Sequence, residues 1–266
     1  MNSFAHSESQ TPSASLGEAV ITDGTSLGEL DFNWASKRAL GSTQSGLTLS
    51  WSHGAPEAAP VSTMRNAQLV GKRLFDIVGA SLALLLLLPL FVVVGIAIKA
   101  TSRGPVFFRQ LREGRGGALF TTLKFRSMKL EDCDDTGVTQ TRKDDPRVSS
   151  IGRFLRRTSI DELPQLLNVV VGDMSLVGPR PHVRGMEAGG RPYRELVPYY
   201  DARLAMRPGI TGWAQANGLR GSTADARLAI SRIDHDIAYI QNFSLWLDVR
   251  TLIDTVRHEF IGGSGE

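Results

Sequence analysis

Asp161 and Glu162 stand side by side in the stretch RRTSIDELPQLLN, residues 156–168. A carboxylate in such a place can attack phosphorus, hold a metal ion or cap a helix. Ser159-x-x-Glu162 has the spacing of a capping box, while Pro164 argues for a start slightly later. Either start puts Asp161 at a helix N-terminus, where free N–H groups and the macrodipole favour negative charge and can also hold a phosphate. Two acids that merely cap a helix are the plainer reading of this stretch alone. The arginines around it shift the balance toward an anion site: Arg147, Arg153, Arg156 and Arg157 precede the pair, and Arg180 and Arg184 follow it. Arg180 sits between two prolines in GPRP, a rigid setting that suits bidentate phosphate recognition. Lys124 and Arg126 alternate with apolar residues in LKFRSM and can line the same site from a strand. Arg207 opens RPGITGW, a second Pro/Gly-rich loop with backbone N–H groups to offer.

Other chemistries find little support. Asp132-Cys133-Asp134 has the D-x-D form of metal-dependent glycosyltransferases, but it lies in a polar acidic loop, residues 131–147, and reads more simply as a solvated loop. No phosphate-cradling glycine loop, dinucleotide fingerprint or serine nucleophile elbow is present. The single cysteine, Cys133, rules out an internal disulfide framework and suits a reducing compartment.

The positioning elements can be read from patterning. Ile77 to Ile98 is a run of 22 residues without a charge. As a helix it would measure about 33 Å, enough to cross a bilayer core. Pro89 falls near its middle, and basic residues flank both ends: Arg65, Lys72 and Arg73 before, Lys99, Arg103, Arg109 and Arg112 after. The positive-inside bias favours the same face for both ends, so a helix that enters, breaks at Pro89 and returns fits better than a straight span. Both remain open on the residues. PVFFRQ and LFTTLKFRSMKL read as strands joined through Gly114, Gly116 and Gly117. A short basic helix is expected over 151–155, another helix from the acid pair to about Val171, and a long helical stretch from Ala224 to His258.

Charge divides the chain. Residues 1–63 carry six acids and two bases, a net of −4; the whole chain is +3, so residues 64–266 carry +7. The acidic segment is rich in Ser, Thr, Gly, Ala and Pro and reads as a disordered tail, in which Trp34, Leu47 and Trp51 offer a short docking element. The basic body calls for an anionic partner such as a phospholipid headgroup or a phosphorylated substrate. These readings give a predominantly helical α+β protein in three parts: a tail over 1–63, a membrane-inserted re-entrant hairpin over 64–103 and a cytoplasmic catalytic domain over 104–266.

Taken together and in order, KRLFDIVGASLALLLLLPLF, GPVFFRQ, LKFRSM, DPRVSSIGRFLRRTSIDELPQLLNVVVGDMSLVGPRP and MRPGITGWAQANG resemble the bacterial sugar transferases, the monotopic polyprenyl-phosphate phosphoglycosyl transferases. The resemblance runs from about Lys72 to the C-terminus and is closest to the enzymes that start exopolysaccharide repeat units. It implies a catalytic dyad at Asp161 and Glu162, a Pro-Arg-Pro loop at Pro179, Arg180 and Pro181, and a helix-breaking proline at Pro89. It implies transfer of a sugar-1-phosphate from a nucleoside-diphosphate sugar to polyprenyl phosphate, with Mg²⁺ held at Asp161 and Glu162. It places the protein in the plasma membrane, among membrane lipids, with the catalytic domain on the cytoplasmic face and no nucleic-acid partner; a homo-oligomer stays open. Two departures from the family pattern stand out. Leu88 occupies the place where many members have serine before the proline, and Arg112-Glu113-Gly114 replaces a familiar Arg-Val-Gly. A D-x-D glycosyltransferase and a non-enzymatic membrane scaffold are the competing readings.

Overall fold

The computed structural model describes residues 47, 49, 51–52, 55–56, 63–128 and 145–261. The D-x-D segment and Trp34 lie outside these residues. Among those described, helix predominates and the strands form four separate two-stranded pairings.

Helix α1, Thr63–Thr101, is 39 residues long and contains Pro89 in its interior. The sequence predicts an interruption at that proline; the structure instead carries the helix through it, so a helix–break–helix hairpin is not what is observed. A proline forfeits one backbone hydrogen bond and crowds the preceding turn, which bends a helix as readily as it ends one. Here the turns on both sides are held by packing. Leu84 and Leu87 lie against a cluster around Leu166, Val169 and Met174, while Leu90, Phe91 and Val94 lie against Phe125 and Leu155.

One face of α1 therefore docks on the body over most of its length. The tie is polar at the start. Lys72 Nζ donates to Asp248 at 2.6 Å and to the carbonyl of Val177 at 2.9 Å, and Asp76 accepts from Ser175 Oγ and from Leu176 N, each at 3.0 Å. Tyr239 closes the network on Asp248 at 2.6 Å. The opposite face is apolar and bare: Leu74, Val78, Leu82, Leu85, Leu86, Val93 and Ile96 are all exposed, Leu86 to 69%. An exposed apolar surface of this extent marks contact with a membrane or partner. Among the described residues α1 is the one helix long and apolar enough to cross a bilayer.

Strands β1 (Phe107–Glu113) and β2 (Leu119–Phe125) form the expected antiparallel hairpin, with Phe107 opposite Phe125 and Glu113 opposite Leu119. Its turn needs Gly116, whose φ is 66°. Helix α2, Ser150–Arg157, follows, capped by Ser149 Oγ on Gly152 N at 3.0 Å. Helix α3, Gln165–Val171, leads to the short parallel pair β3 (Ser175–Val177) and β4 (Gly209–Thr211). The long C-terminal helical stretch divides into α4, Ala226–Gln241, and α5, Leu245–Ile261. The division has a local cause: Asn242 folds its amide back onto the carbonyl of Ala238 and Ser244 Oγ accepts from Leu247 N as the start of the next helix. Of the segment expected as a tail, Leu47 packs on the cluster around Val177, Met206 and Trp213, and Leu49 on that around Tyr193 and Tyr200. Trp51–Ser52 and Ala55–Pro56 pair as a minimal antiparallel ribbon.

Candidate active site

The acid pair lies in a single 3₁₀ turn, Ile160–Glu162, before α3 rather than within its first turn. Ser159 ahead of it has φ 53°, in the left-handed region, and makes no capping bond to the turn. The capping box predicted for Ser159 and Glu162 is thus not formed. A non-glycine residue held in this conformation costs on the order of 1 kcal/mol and persists where its surroundings over-determine it. What holds Glu162 is a pair of cations. Lys124 Nζ reaches its Oε1 at 2.7 Å, Arg180 Nη2 reaches the same oxygen at 2.7 Å, and Arg180 Nη1 reaches Oε2 at 3.2 Å.

Each of these residues is fixed from behind. Lys124 is set by β2, whose free edge is pinned to α3 by Asn168: Oδ1 accepts from Leu123 N at 3.0 Å and Nδ2 donates to Thr121 O at 2.7 Å. Arg180 is set by a loop in which successive carbonyls all receive donors. Gly209 N binds Pro179 O, the buried Arg203 guanidinium binds Arg180 O, Arg112 Nη1 binds Pro181 O at 3.0 Å, and Glu113 N binds His182 O at 2.8 Å. Arg203 in turn pairs with the buried Asp236 at 2.7 Å. The loop passes so close to the β4 turn that a Cβ on Gly178 would strike the carbonyl of Arg207.

The electrostatics separate the two acids. Burial pushes the Asp161 carboxyl up to about 6; Lys124 pulls it down and Glu162 pushes it further up. Burial also disfavours charge on Glu162, but the charges and hydrogen bonds of Arg180 and Lys124 prevail and hold it well below the usual carboxylate range. Burial lowers the Lys124 ammonium against the pull of Glu162. Arg112 is brought down to about 10 by burial and by the nearby Arg180. Burial lowers Arg220 as well, with Arg180 adding to the effect. Arg156 adds its charge beside Asp161. Among the described residues, then, Lys124 and Arg180 bind Glu162, and the charges of Arg112, Arg156 and Arg220 act on one or other of the two carboxylates. A desolvated site with that excess of positive charge is built for an anion.

A family model described as bacterial sugar transferase matches residues 67–262. The chain belongs to the bacterial sugar transferase family. It is 52% identical over 197 residues, 74% of its length, to an exopolysaccharide production protein PSS of Rhizobium leguminosarum bv. phaseoli, and covers 98% of that relative. It is 46% identical over 190 residues to a UDP-glucose:undecaprenyl-phosphate glucose-1-phosphate transferase of Xanthomonas campestris pv. campestris, covering 71% of this chain and 39% of that one. A 43% identical relative from Aeromonas hydrophila, matched over 70% of this chain and 43% of its own, is named as an N-acetylgalactosamine phosphotransferase acting on undecaprenyl phosphate.

For this family member, the structure brings together four of the residues read from the sequence: Asp161, Glu162, Lys124 and Arg180. It directs two others elsewhere. Arg126 points back from the end of β2 and binds the carbonyls of Ser102 and Arg103, holding the end of α1. Arg207 binds the carbonyl of Gly172 at 2.8 Å, with Arg73 as its nearest influential charge. Arg112 and Arg220 were not singled out by the sequence as site residues, and Arg156 only as one of the arginines that precede the acid pair. Arg112 carried a usable signal, since strand alternation puts it on the same face as Lys124's partner Phe108 and Gln110. Nothing local distinguishes Arg220. The unexplained acid of Arg112-Glu113-Gly114 has a structural role: Glu113 is buried and pairs with Arg194 at 3.0 Å, which joins β1 to the segment after the Pro-Arg-Pro loop.

No group of three or more potential metal ligands occurs among the described residues. The donor set fits a Mg²⁺ that draws most of its oxygens from a diphosphate and water, as this ion usually does beside one or two carboxylates. Asp161 is the better protein ligand, because both oxygens of Glu162 are already engaged by cations.

Proposed function

We propose that the protein transfers a sugar-1-phosphate from a nucleoside-diphosphate sugar, most simply UDP-glucose, to polyprenyl phosphate, with release of the nucleoside monophosphate, as the opening step of exopolysaccharide assembly. The observation that carries this reading is the buried acid pair Asp161 and Glu162, with Lys124 and Arg180 bound to Glu162 and the charges of Arg112, Arg156 and Arg220 acting on the site, in a protein whose long apolar helix has a bare outer face. Both substrates of such a reaction are anionic and one is a lipid. The names of the relatives from Xanthomonas and Aeromonas support the same acceptor.

Asp161 acts as the nucleophile. One of its oxygens attacks the phosphorus bonded to the sugar, and the bond from that phosphorus to the bridging oxygen breaks. The monophosphate leaves with the bonding pair. A phosphate oxygen of the lipid then attacks the same phosphorus, the bond to Asp161 breaks, and the carboxylate is restored. Dividing the reaction in two suits one soluble and one membrane-held substrate. Arg180 and Lys124 stabilise charge that develops on the phosphoryl oxygens. Bound Mg²⁺, held by Asp161 and the diphosphate, would supply further charge neutralisation. Glu162 is a weak base, being held well below the carboxylate range, so its part is to order Lys124 and Arg180 rather than to accept a proton.

The hairpin topology enters this proposal in modified form. Lys72 and Asp76 at one end of α1 and Ile98 at the other all dock on the same body. These contacts support a topology in which both ends of α1 lie on one face of the membrane, proposed to be the cytoplasmic one, with a helix that is continuous at Pro89. Cysteine labelling in sealed vesicles, in a Cys133→Ser background, should find residues before α1 and after it equally accessible.

Incubation of purified protein with labelled UDP-glucose and no lipid tests the chemistry. The expected result is release of UMP and a hydroxylamine-sensitive sugar-phosphate adduct on Asp161. Release of UDP on addition of lipid would favour a D-x-D mechanism and overturn the proposal.

A further inference from the structure

Arg112 is a cation of the site without an acid of its own. Its Nη1 donates to Pro181 O at 3.0 Å, while Nε and Nη2 both donate to Gln110 Oε1. Among the described residues, then, it gives its hydrogens only to neutral oxygens. These three bonds leave two of the five guanidinium N–H donors unused. The side chain is half-buried, so those donors are not sealed from solvent. Strand register sets where it points. Phe108 pairs with Lys124 and Arg112 with Phe120, which puts Gln110, Arg112 and Lys124 on one face of the β1–β2 hairpin. Pro181, which Arg112 holds, follows Arg180 directly, so the two guanidiniums are neighbours. Like charges side by side in a partly desolvated site repel unless an anion joins them. Glu162 is not free to be that anion, since Arg180 engages both its oxygens and Lys124 takes one of them as well. The charges that weigh most on Asp161 are those of Lys124, Glu162, Arg156 and Arg180, whereas Arg112 and Arg220 weigh on Arg180 and Glu162. Arg112 thus flanks Arg180 rather than Asp161.

We infer that Arg112 is a phosphate-binding residue: together with Arg180 it holds the phosphate of the nucleotide sugar that leaves with the nucleoside. The inference rests on the transferase reading above. The phosphorus that Asp161 attacks must lie against Asp161. The other phosphate of the diphosphate then falls one bridging oxygen further out, on the flank that Arg112 occupies. When the bridge breaks, its oxygen keeps the bonding pair and the departing phosphate gains a negative charge. The unused donors of Arg112 meet that charge as it develops. Gln110 fixes the plane of the guanidinium fork, and the bond to Pro181 keeps the fork in a constant relation to Arg180. A planar fork held in this way suits phosphate oxygens better than the point charge of a lysine.

The test is calorimetric binding of UMP to the full chain in lipid nanodiscs, with thermal melting as the check on folding. Arg112→Ala should weaken UMP by about tenfold or more, the scale of a charge-assisted hydrogen bond. It should also slow formation of the sugar-phosphate adduct from labelled UDP-glucose. Arg112→Lys should recover only part of the affinity. Gln110→Ala keeps the charge and the bond to Pro181 but releases the fork, and should weaken UMP by about threefold. Uridine, which has no phosphate, should bind wild type and Arg112→Ala alike. Equal UMP affinity in wild type and Arg112→Ala, no UMP binding by wild type, or a parallel loss for uridine overturns the inference. If Arg112→Ala melts early, Gln110→Ala decides: unchanged UMP affinity there means that Arg112 only braces Pro181. Because binding needs no turnover, an Arg112-dependent UMP site in a protein that forms no adduct would leave the site standing and defeat the reaction instead.

Discussion

The buried charged clusters of this molecule are of two kinds, and one respect in which they differ decides what each is for. Around Arg203 and Asp236 the charges match one to one: the guanidinium binds the carboxylate at 2.7 Å, then the Tyr200 hydroxyl and the carbonyl of Arg180. The cluster of Lys72 with Asp248 and Asp76 holds one more acid than base but is also closed, with Tyr239, Ser175 and the Val177 carbonyl filling the remaining positions. Around Asp161 the charges do not match. Glu162 holds Lys124 and Arg180 directly, Arg112, Arg156 and Arg220 add positive charge from farther off, and the Asp161 carboxyl, with its pKa near 6, is itself uncomfortable as an anion. A closed polar network fixes a chain in place; an open one carries an electrostatic cost that a bound ligand can relieve. The first kind is scaffold and the second is site.

The sharpest break in that comparison comes from Asp161→Asn. Turnover and adduct should both vanish, a loss of about 10⁴-fold or more if the residue is the nucleophile. The melting temperature should hold or rise, since burial raises the carboxyl's pKa and the folded state gains nothing from its charge at neutral pH. A fall in melting temperature with activity retained would put Asp161 among the scaffold. Asp236→Asn should do the reverse. Removing one partner of a buried pair leaves the other uncompensated, at a cost of about 3–5 kcal/mol, readable by denaturant unfolding. Activity should fall with it, because Arg203 no longer secures the carbonyl of Arg180.

The pH profile separates the clusters without mutation. Asp161 must be ionised to attack, so kcat/KM for the nucleotide sugar should be level above its pKa of about 6 and decline below it. A profile flat down to the usual carboxylate range would mean that the nucleophile is not in a desolvated setting. The smallest expected effect belongs to Arg220→Ala. Its charge acts on Arg180 and Glu162 rather than on Asp161, so the KM for the nucleotide sugar should rise by about tenfold with stability unchanged. No change in KM would place Arg220 outside the substrate's reach.

Much of this could be read along the chain, for reasons of local physics. The apolar run of α1, the β1–β2 hairpin with its glycines and the basic helix α2 are written in periodicity and turn chemistry, which act over a few residues. Asp161, Glu162 and Arg180 were legible because prolines and arginines crowd them within about one turn or loop. The sequence alone also determined that the chain has an apolar segment long enough to enter a membrane and a basic body beside it. Tertiary structure decided the rest. Whether α1 breaks at Pro89 depends on what packs against Leu87, Leu90 and Phe91 from elements dozens of residues away. Whether Glu162 caps a helix or clamps two cations depends on Lys124, 38 positions earlier, and on Arg180, 18 positions later. The same holds for Arg126 and Arg207, which carry the right charge but point to backbone carbonyls elsewhere. A charge acts through distance in space and the dielectric between groups, neither of which a linear pattern contains. Only the folded chain sets both, and that is why it, rather than the motif, selects which arginines make the site.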